Sequence, residues 1–200
     1  KTCIYLINHY ILGYLFIGPF PSAQAQAAQR LSTTGHWVVP IDIPDMGRIT
    51  LLTYHATPPV FDSPEDRNGL RNADETRFWQ VYLDGAFGPA PTDRFVLLGD
   101  ANLDPDAGDG RRATMRQLLG DPRLTDTAPT SAGAAAAGDA TDTADWDDPT
   151  PGNLRADYAL PSADWTIIGS GVLWPDPTDP LAETVATASR HRLVWVDLTR

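Results

Sequence analysis

The chain contains one cysteine, Cys3, among its 200 residues, so no disulfide bond can form within it. It is also poor in positive charge. The 15 lysines and arginines face 26 aspartates and glutamates, which gives a formal net charge of -11. The sequence therefore lacks the broad basic surface of a nucleic-acid-binding protein, and a polyanionic ligand would have to be met by local arginines or by bound cations.

No stretch is long and apolar enough for a membrane span, which needs about 20 predominantly apolar residues. Residues 1–22 form an apolar leader, followed by an A-x-A-like tail that begins at Ala23, and this outline is typical of a secretory signal. Asn8 and Pro19 interrupt the run, which equally fits a foreign segment joined to a domain. We therefore expect one domain over residues 23–200 in a periplasmic or secreted protein, with a cytoplasmic location as the alternative.

The central feature of the domain is the stretch 94–106. It begins with the apolar run Phe95 to Leu98, typical of a buried strand, which stops at Gly99. Asp100 and Asn102 follow two residues apart, so both side chains lie on the same side of the strand end. Such a pair suits a metal ion or a phosphate. An aspartate-rich turn is the alternative, because Asp, Asn and Gly favour turns on their own account.

A calcium-binding loop of the helix–loop–helix type does not fit this stretch, although Asp100, Asn102 and Asp104 match its first three side-chain ligands. Pro105 stands where that loop needs a glycine for its sharp turn, and Arg111 stands where it needs a bidentate glutamate. The preceding run is also typical of a strand rather than a helix.

The rest of the domain alternates apolar runs with turns rich in glycine and proline, and no internal repeat is present. Strands are predicted at 36–44, 48–57, 156–160, 165–173 and 193–198, and helices at 72–85 and 111–119. The first two strands are close enough to form a hairpin. Residues 127–153 contain few large apolar side chains and predict a long flexible loop. This pattern indicates an α/β protein with layered sheets and helices.

Polar side chains cluster at the predicted strand ends. They are His55, Asp100, Asn102, Arg155, Asp157 and His191. A histidine and an aspartate that meet in space can share general acid and base duty, while asparagine and arginine can hold a phosphate and its developing charge. Each residue also has a structural explanation on its own: a core histidine, a surface ion pair or a capped strand start.

The segments that carry these residues resemble the ordered motifs of the endonuclease/exonuclease/phosphatase superfamily, and the closest likeness is to a bacterial, often exported branch. The four motifs are YHATPP, GDANLDP, RADYALPS and SRHRLVWVDL. The resemblance runs from about residue 20 to the C-terminus. It implies an α/β fold in which two sheets pack face to face and are flanked by helices. It also implies hydrolysis of a phosphoester by in-line attack of water, with Mg²⁺, Mn²⁺ or Ca²⁺ as cofactor.

The same resemblance implies a role for each motif residue. Asp100 orients or deprotonates the attacking water, and Asn102 holds a phosphate oxygen; these two residues are also the expected metal ligands. His191 contacts the phosphate and is oriented by Asp157. His55 belongs to the acid that protonates the leaving oxygen.

Two arginines are expected to bind substrate. The last motif of the family usually reads Ser-Asp-His, with the aspartate on the metal, whereas this chain has Arg190 at the middle position. An arginine is no metal ligand, but it can stabilise a phosphate directly. Arg155 is expected to contribute in the same way from the start of its strand.

The family's first strands bear an asparagine and a metal-binding glutamate, and no counterpart precedes His36. The first glutamate of the chain is Glu65, in a predicted loop. We therefore expect the N-terminal half of the fold to be missing. One sheet would then expose an apolar face of more than a few hundred Å², which predicts pairing with a second chain.

Two functions stay open from the sequence. One is a metal-dependent phosphoester hydrolase acting on nucleic acid, lipid or a small phosphoester. The other is a non-catalytic remnant or phosphate-binding module of the same fold. A serine hydrolase is disfavoured, because Gly169-Ser170-Gly171 lacks the G-x-S-x-G elbow that exposes the nucleophile.

Overall fold

The computed structural model describes residues 5–6, 22–28, 30–92 and 94–200. The expected leader over residues 1–22 lies outside this described part, apart from Tyr5–Leu6 and Ser22. The strands are β1 Tyr5–Leu6, β2 Gly35–Ile43, β3 Gly47–His55, β4 Phe95–Asp100, β5 Asp157–Pro161, β6 Thr166–Leu173 and β7 Leu193–Thr199. The helices are α1 Ala23–Ala28, α2 Arg67–Leu83, α3 Arg112–Leu119, α4 Ala132–Ala137 and α5 Ala182–Ala188. Within these ranges, no helix combines the length and apolarity needed to cross a bilayer.

Five strands form one sheet in the order β1-β2-β3-β4-β5. β2 and β3 form the expected antiparallel hairpin. β4 runs parallel to β3, which requires a crossover, and the 17-residue helix α2 supplies it. Because β3 and β4 are parallel, they end on the same side of the sheet. There His55 of β3 lies opposite Asp100 of β4, and Asp100 lies opposite Asp157 of β5. The sheet register therefore assembles three of the motif residues.

Gly99 allows this close pairing. A Cβ atom at this position would lie 2.1 Å from the carbonyl oxygen of Tyr54 on β3, which no side chain tolerates. The glycine that stops the apolar run thus lets β3 and β4 stay in contact up to the residue that carries the Asp100 carboxylate.

The hydrophobic core lies between one face of this sheet and helices α2 and α3. The aromatic side chains Phe78, Trp79 and Tyr82 supply the α2 face of this core. The other core residues from the strands and α3 include Leu52, Tyr54, Leu97, Tyr158, Leu160, Met115 and Leu118. Burying such side chains contributes about 25 cal/mol per Å² of apolar surface. This packing holds the crossover helix on the sheet behind the strand ends.

Helix α2 begins at Arg67, five residues before the expected start at Asn72. The chain turns into the helix at Asp66, which adopts a left-handed conformation with φ of 52°. The polar residues that follow hide this start from an apolar-periodicity reading. Asn72 and Glu75 had suggested a helix N-terminus, but both are fully buried inside the helix.

β6 and β7 form a separate two-stranded antiparallel sheet. Several large apolar side chains on β2 and on this second sheet are exposed to solvent. They are Trp37, Ile41, Ile168, Leu173, Leu193 and Trp195. Pairing with a second chain, which was expected because the N-terminal half of the fold was expected to be missing, stays a prediction.

The segment 127–153, expected as one long flexible loop, contains helix α4. Ser131 caps this helix by accepting a hydrogen bond from the Ala134 N–H at 3.2 Å. A Cβ atom at Gly133 would lie 2.2 Å from the Trp174 ring, so only glycine permits this contact. Further along, Ala144 forms β-bridges with both Leu154 and His191. Small residues and backbone hydrogen bonds order this segment without large apolar side chains.

Candidate active site

The candidate active site lies at the edge of the sheet where β3 and β4 end. His55 is the last residue of β3, Asp100 is the last residue of β4, and Asp157 is the first residue of β5. His191 lies two residues before β7. The His55 Nε2 atom is 3.5 Å from Asp100 Oδ2, and the His191 Nε2 atom is 3.9 Å from the same oxygen. The structure thus places two imidazoles beside the carboxylate of Asp100.

Asn102 fixes the Asp100 carboxylate from the turn that follows β4. It adopts a left-handed conformation with φ of 47°. Its backbone N–H donates to Asp100 Oδ1 at 2.9 Å, and its side-chain amide nitrogen donates to Asp100 Oδ2 at 3.1 Å and to the Ala56 carbonyl at 3.0 Å. Both amide N–H groups are therefore engaged by protein oxygens, and the expected contact of Asn102 with a phosphate stays a prediction. The amide oxygen is the atom that Asn102 can offer to a cation.

His191 is held by Asp157, and Thr143 in turn holds Asp157. The His191 Nδ1 atom is hydrogen-bonded to Asp157 Oδ2 at 2.9 Å, and the Thr143 hydroxyl donates to the same oxygen at 2.9 Å. The Trp146 ring meets the His191 ring edge to face, with centroids 5.3 Å apart. With Nδ1 fixed by Asp157, the Nε2 atom of His191 is directed at the Asp100 side of the site.

The electrostatics of these groups differ. Burial raises the pKa of Asp100, and the nearby Asp157 carboxylate raises it further, although His191 and the backbone N–H of Asn102 oppose this. The hydrogen bond with Asp157 raises the pKa of His191 above its ordinary value. The site therefore favours an imidazolium at His191 next to a carboxylate that is costly to ionise without a positive partner.

The carboxylates of Asp100 and Asp157 form a candidate metal site beside His191, because one possible ligand atom of each of these three residues lies within 4.8 Å of the others. Two carboxylates at this distance repel each other, and a divalent cation would relieve that repulsion. Oxygen ligands from Asp100 and Asp157, with the amide oxygen of Asn102, suit Mg²⁺. The donor set fits a divalent cation and extends the expected pair, Asp100 and Asn102. Among the described residues, no glutamate joins this cluster.

The two arginines expected to bind substrate occupy different places. Arg190 lines the cavity in front of the site, where its guanidinium lies 3.0 Å from the Asp147 carboxylate. Arg155 is buried, and its guanidinium donates two hydrogen bonds to Asp126 at 2.9 and 2.5 Å. Arg155 is not among the residues that line the cavity. In this structure it pairs with Asp126, directly before the 127–153 segment, from a position two residues before β5, and its assignment to substrate stays a prediction.

Helix α2 fixes the backbone that follows β3, which ends at His55, and β4, which ends at Asp100. Glu75 accepts hydrogen bonds from the N–H groups of Thr57 at 2.6 Å and Thr33 at 2.9 Å. Asn72 donates to the carbonyls of Thr57 and Ala101 at 2.8 Å each. These two buried side chains tie the residues after His55 and Asp100 to one rigid helix.

Sequence reasoning missed four side chains that support the site: Thr143, Trp146, Asn72 and Glu75. Thr143 and Trp146 lie in the segment interpreted as a flexible loop, and neither belongs to a motif. The Asn72 and Glu75 side chains did carry a signal. They are polar residues three apart on the apolar face of a helix, and buried polar groups need specific partners.

Thr143 gives a first prediction. Its fully buried hydroxyl donates to Asp157 and accepts from the N–H groups of Ala156 and Asp157 at 3.0 and 2.9 Å. Thr143→Val removes these bonds without changing the side-chain shape, and should lower the free energy of unfolding by about 2–3 kcal/mol, measured by urea denaturation. Thr143→Ser keeps the hydroxyl and should cost less than half as much. Equal losses in both variants would contradict this role of the hydroxyl.

A second prediction concerns the titration of His191. Asp157→Asn removes the charge that raises the His191 pKa, so that pKa should fall in the variant, as measured by NMR in the presence of a chelator. The native imidazolium adds stability below the unfolded-state pKa, and this is lost as pH rises through the raised folded-state pKa. The variant should lack this dependence. An unchanged His191 pKa would show that Asp157 does not set it.

The α/β architecture and the strand-edge cluster of carboxylates and histidines define a phosphoesterase-type hydrolase fold. The model of the Endonuclease/Exonuclease/phosphatase family matches residues 8–191. The chain therefore belongs to the endonuclease/exonuclease/phosphatase family, as its motifs had indicated. A comparison with curated proteins gave no match.

Two solved structures show the same fold. One is an endonuclease/exonuclease/phosphatase from Beutenbergia cavernae DSM 12333, with a TM-score of 0.55 and 15% identity over 99% of this chain and 44% of that chain. The other is an endonuclease/exonuclease/phosphatase family protein from Bacteroides thetaiotaomicron, with a TM-score of 0.52 and 16% identity over 84% of this chain and 61% of that chain. This chain thus spans less than two thirds of either protein. Identities this low establish the fold alone.

Proposed function

We propose that this protein hydrolyses a phosphoester in the presence of a divalent cation, with Asp100 positioning and activating the attacking water. The observation that carries the proposal is the position of the Asp100 carboxylate, which lies 3.5 Å from His55 Nε2 and 3.9 Å from His191 Nε2. A carboxylate flanked by two proton donors can accept a proton from water while the imidazoles serve the phosphoryl and leaving oxygens.

Each side chain of the site has a separate proposed role in the hydrolysis. The pKa of His191 is raised by Asp157, which keeps its Nε2–H available to donate to a phosphoryl oxygen. His55 is half exposed at the end of β3 and can deliver a proton to the departing oxygen. A divalent cation held by Asp100 and Asp157 would neutralise the phosphoryl charge. Asn102 keeps Asp100 in a single orientation through two hydrogen bonds.

The proposed substrate class is a phosphoester, and nucleic acid is one member of it. The net charge of -11 argues against a long polyanion held along the protein surface. Arg190, the one arginine among the described residues that line the cavity, is itself paired with Asp147. Contact with substrate is therefore expected at a single phosphoryl group in the site.

The direct test is hydrolysis of bis(p-nitrophenyl) phosphate by the purified protein with Mg²⁺, Mn²⁺ or Ca²⁺, and with chelator. Turnover should need the added cation and should return when the cation is restored after chelation. Equal turnover with chelator would contradict the metal requirement. As a matched control, Asp197→Asn alters an exposed carboxylate on β7 and should leave turnover unchanged.

A second function is supported by one observation. Among the described residues, the carboxylates and histidine of the candidate metal site are joined by no glutamate, and the amide N–H groups of Asn102 are already engaged. Such a site can hold a cation and a phosphate without turnover. A folded preparation that binds inorganic phosphate in a Mg²⁺-dependent way but hydrolyses nothing would support this binding module.

A further inference from the structure

A cavity of about 650 Å³ extends from the candidate active site. His55, Asp100, Asn102 and His191 are among its lining residues, so it includes the groups assigned to the phosphoryl transfer. Pockets of 300–1,000 Å³ accommodate a single small organic molecule. The cavity therefore has room for the organic group attached to the phosphoryl.

The cavity also has apolar lining residues that the hydrolytic chemistry does not use. Phe61, Trp146, Pro59 and Leu154 contribute to it. The Trp146 ring meets the His191 ring at 90° with 5.3 Å between centroids, so an aromatic side chain borders the imidazole that faces the phosphoryl group. Aromatic rings prefer offset-stacked or edge-to-face contacts with other rings, which makes this lining suited to an aromatic ligand.

Phe61 is exposed in a way that ordinary folding does not favour. Its side chain is 94% exposed, and its backbone adopts φ of 63°, which is uncommon for a bulky residue. The turn around it is fixed, because Asp62 accepts a hydrogen bond from the Asn68 N–H at 2.5 Å and Asn68 donates to the Val60 carbonyl at 2.7 Å. A strained, fixed turn that displays a phenyl ring at a cavity indicates a ligand contact.

The charges around the cavity disfavour a second phosphate. Asp104, Asp109 and Asp147 line it together with Asp100. Arg190 is the one arginine or lysine among the described residues that line it, and Asp147 already pairs with that arginine. Like charges repel an additional anion, so a substrate with one phosphoryl group and an uncharged organic group fits best.

We propose that this cavity is a binding subsite for an aromatic group, and that the protein selects small phosphoesters with one phosphoryl group and an aromatic ring over nucleic-acid polymers. The position of the phosphoryl group in this proposal rests on the proposed function. The ring is stacked by Phe61 and bordered by Trp146. Phe61 is thus a specificity-determining residue that takes no part in the hydrolytic chemistry.

The test uses phenylphosphonate and methylphosphonate, which share a phosphonate group and cannot be hydrolysed as esters. Isothermal titration with Mg²⁺ present should give about tenfold tighter binding of phenylphosphonate. Phe61→Ala should remove most of that difference, whereas Phe61→Tyr, which keeps the ring, should retain it. Trp37→Ala is the matched control, because Trp37 is an exposed aromatic residue on β2 that does not line the cavity. It should change neither affinity.

The binding measurement tests the aromatic subsite independently of the proposed hydrolysis. A phenyl preference that depends on Phe61 supports the subsite even when no ester is hydrolysed, in which case only the proposed hydrolysis fails. Equal binding of the two phosphonates, binding of neither, or a Phe61→Ala effect on both alike would overturn the subsite, whether or not turnover occurs. Tighter binding of a thymidine oligonucleotide than of phenylphosphonate would also overturn it.

Discussion

Replacing Asp100 by asparagine should lower kcat/KM for bis(p-nitrophenyl) phosphate by about 1,000-fold or more. Asparagine has nearly the same shape, but it cannot accept a proton from water and is a weaker ligand for a cation, so the variant loses the general base and a metal ligand together. General acid–base catalysis alone contributes about 10²–10⁴-fold. The measurement is initial rate against substrate concentration at saturating Mg²⁺.

This loss should come without unfolding. Burial raises the pKa of Asp100, so its ionised form costs the folded state stability as pH rises above the unfolded-state pKa. Asparagine removes that cost but also one hydrogen bond with Asn102. We expect a change in the free energy of unfolding of no more than about 1 kcal/mol at pH 8. An unfolded variant would contradict the expected stability. A folded variant that keeps wild-type turnover would contradict the assignment of Asp100.

Replacing Glu75 by alanine should have the largest effect on stability. The Glu75 carboxylate is fully buried and accepts the N–H groups of Thr57 and Thr33 and the Thr33 hydroxyl. Removing the carboxylate leaves these donors without an acceptor and leaves an empty space in the core. The free energy of unfolding should therefore fall by about 3–5 kcal/mol. Urea denaturation measures this loss. Glu183→Ala, on the exposed face of α5, should change stability by less than about 0.5 kcal/mol.

Glu75→Gln refines this prediction. Glutamine keeps one oxygen acceptor but places an amide N–H group against a backbone N–H, so at least one of the two backbone contacts should be lost. Thr57 follows His55 by two residues, and the variant should therefore weaken turnover as well as stability. A Glu75→Gln protein with wild-type stability would show that only the shape of this side chain matters.

Much of the sheet was readable from the sequence because its signals are local. The run from Phe95 to Leu98 and the segment 48–57 predict strands from side-chain type alone, and β4 (Phe95–Asp100) and β3 (Gly47–His55) lie at these positions. The polar residues at the strand ends follow from the same reading. Parallel pairing of β3 and β4 then brings His55 and Asp100 together.

The parts that were missed depend on partners far along the chain. Nothing near Arg155 in the sequence indicates its ion pair with Asp126, 29 residues away. Thr143 lies 14 residues before Asp157 in a segment of small residues, and its importance comes from three hydrogen bonds that only the folded backbone creates. Composition predicts whether a segment can build a core, but it does not predict a buried polar network.

The two ends of strands β3 and β4 are suited to different uses in experiments. The turn 44–46 joins β2 to β3 and lies at the strand end opposite His55. Because β4 runs parallel to β3, this end is also opposite Asp100. A fluorescent label or a surface tether attached through Met46→Cys, with Cys3 replaced by serine so that the new thiol is unique, would stand a full strand length from the chemistry. Such a handle would allow ligand binding to be followed on an immobilised protein without covering the cavity.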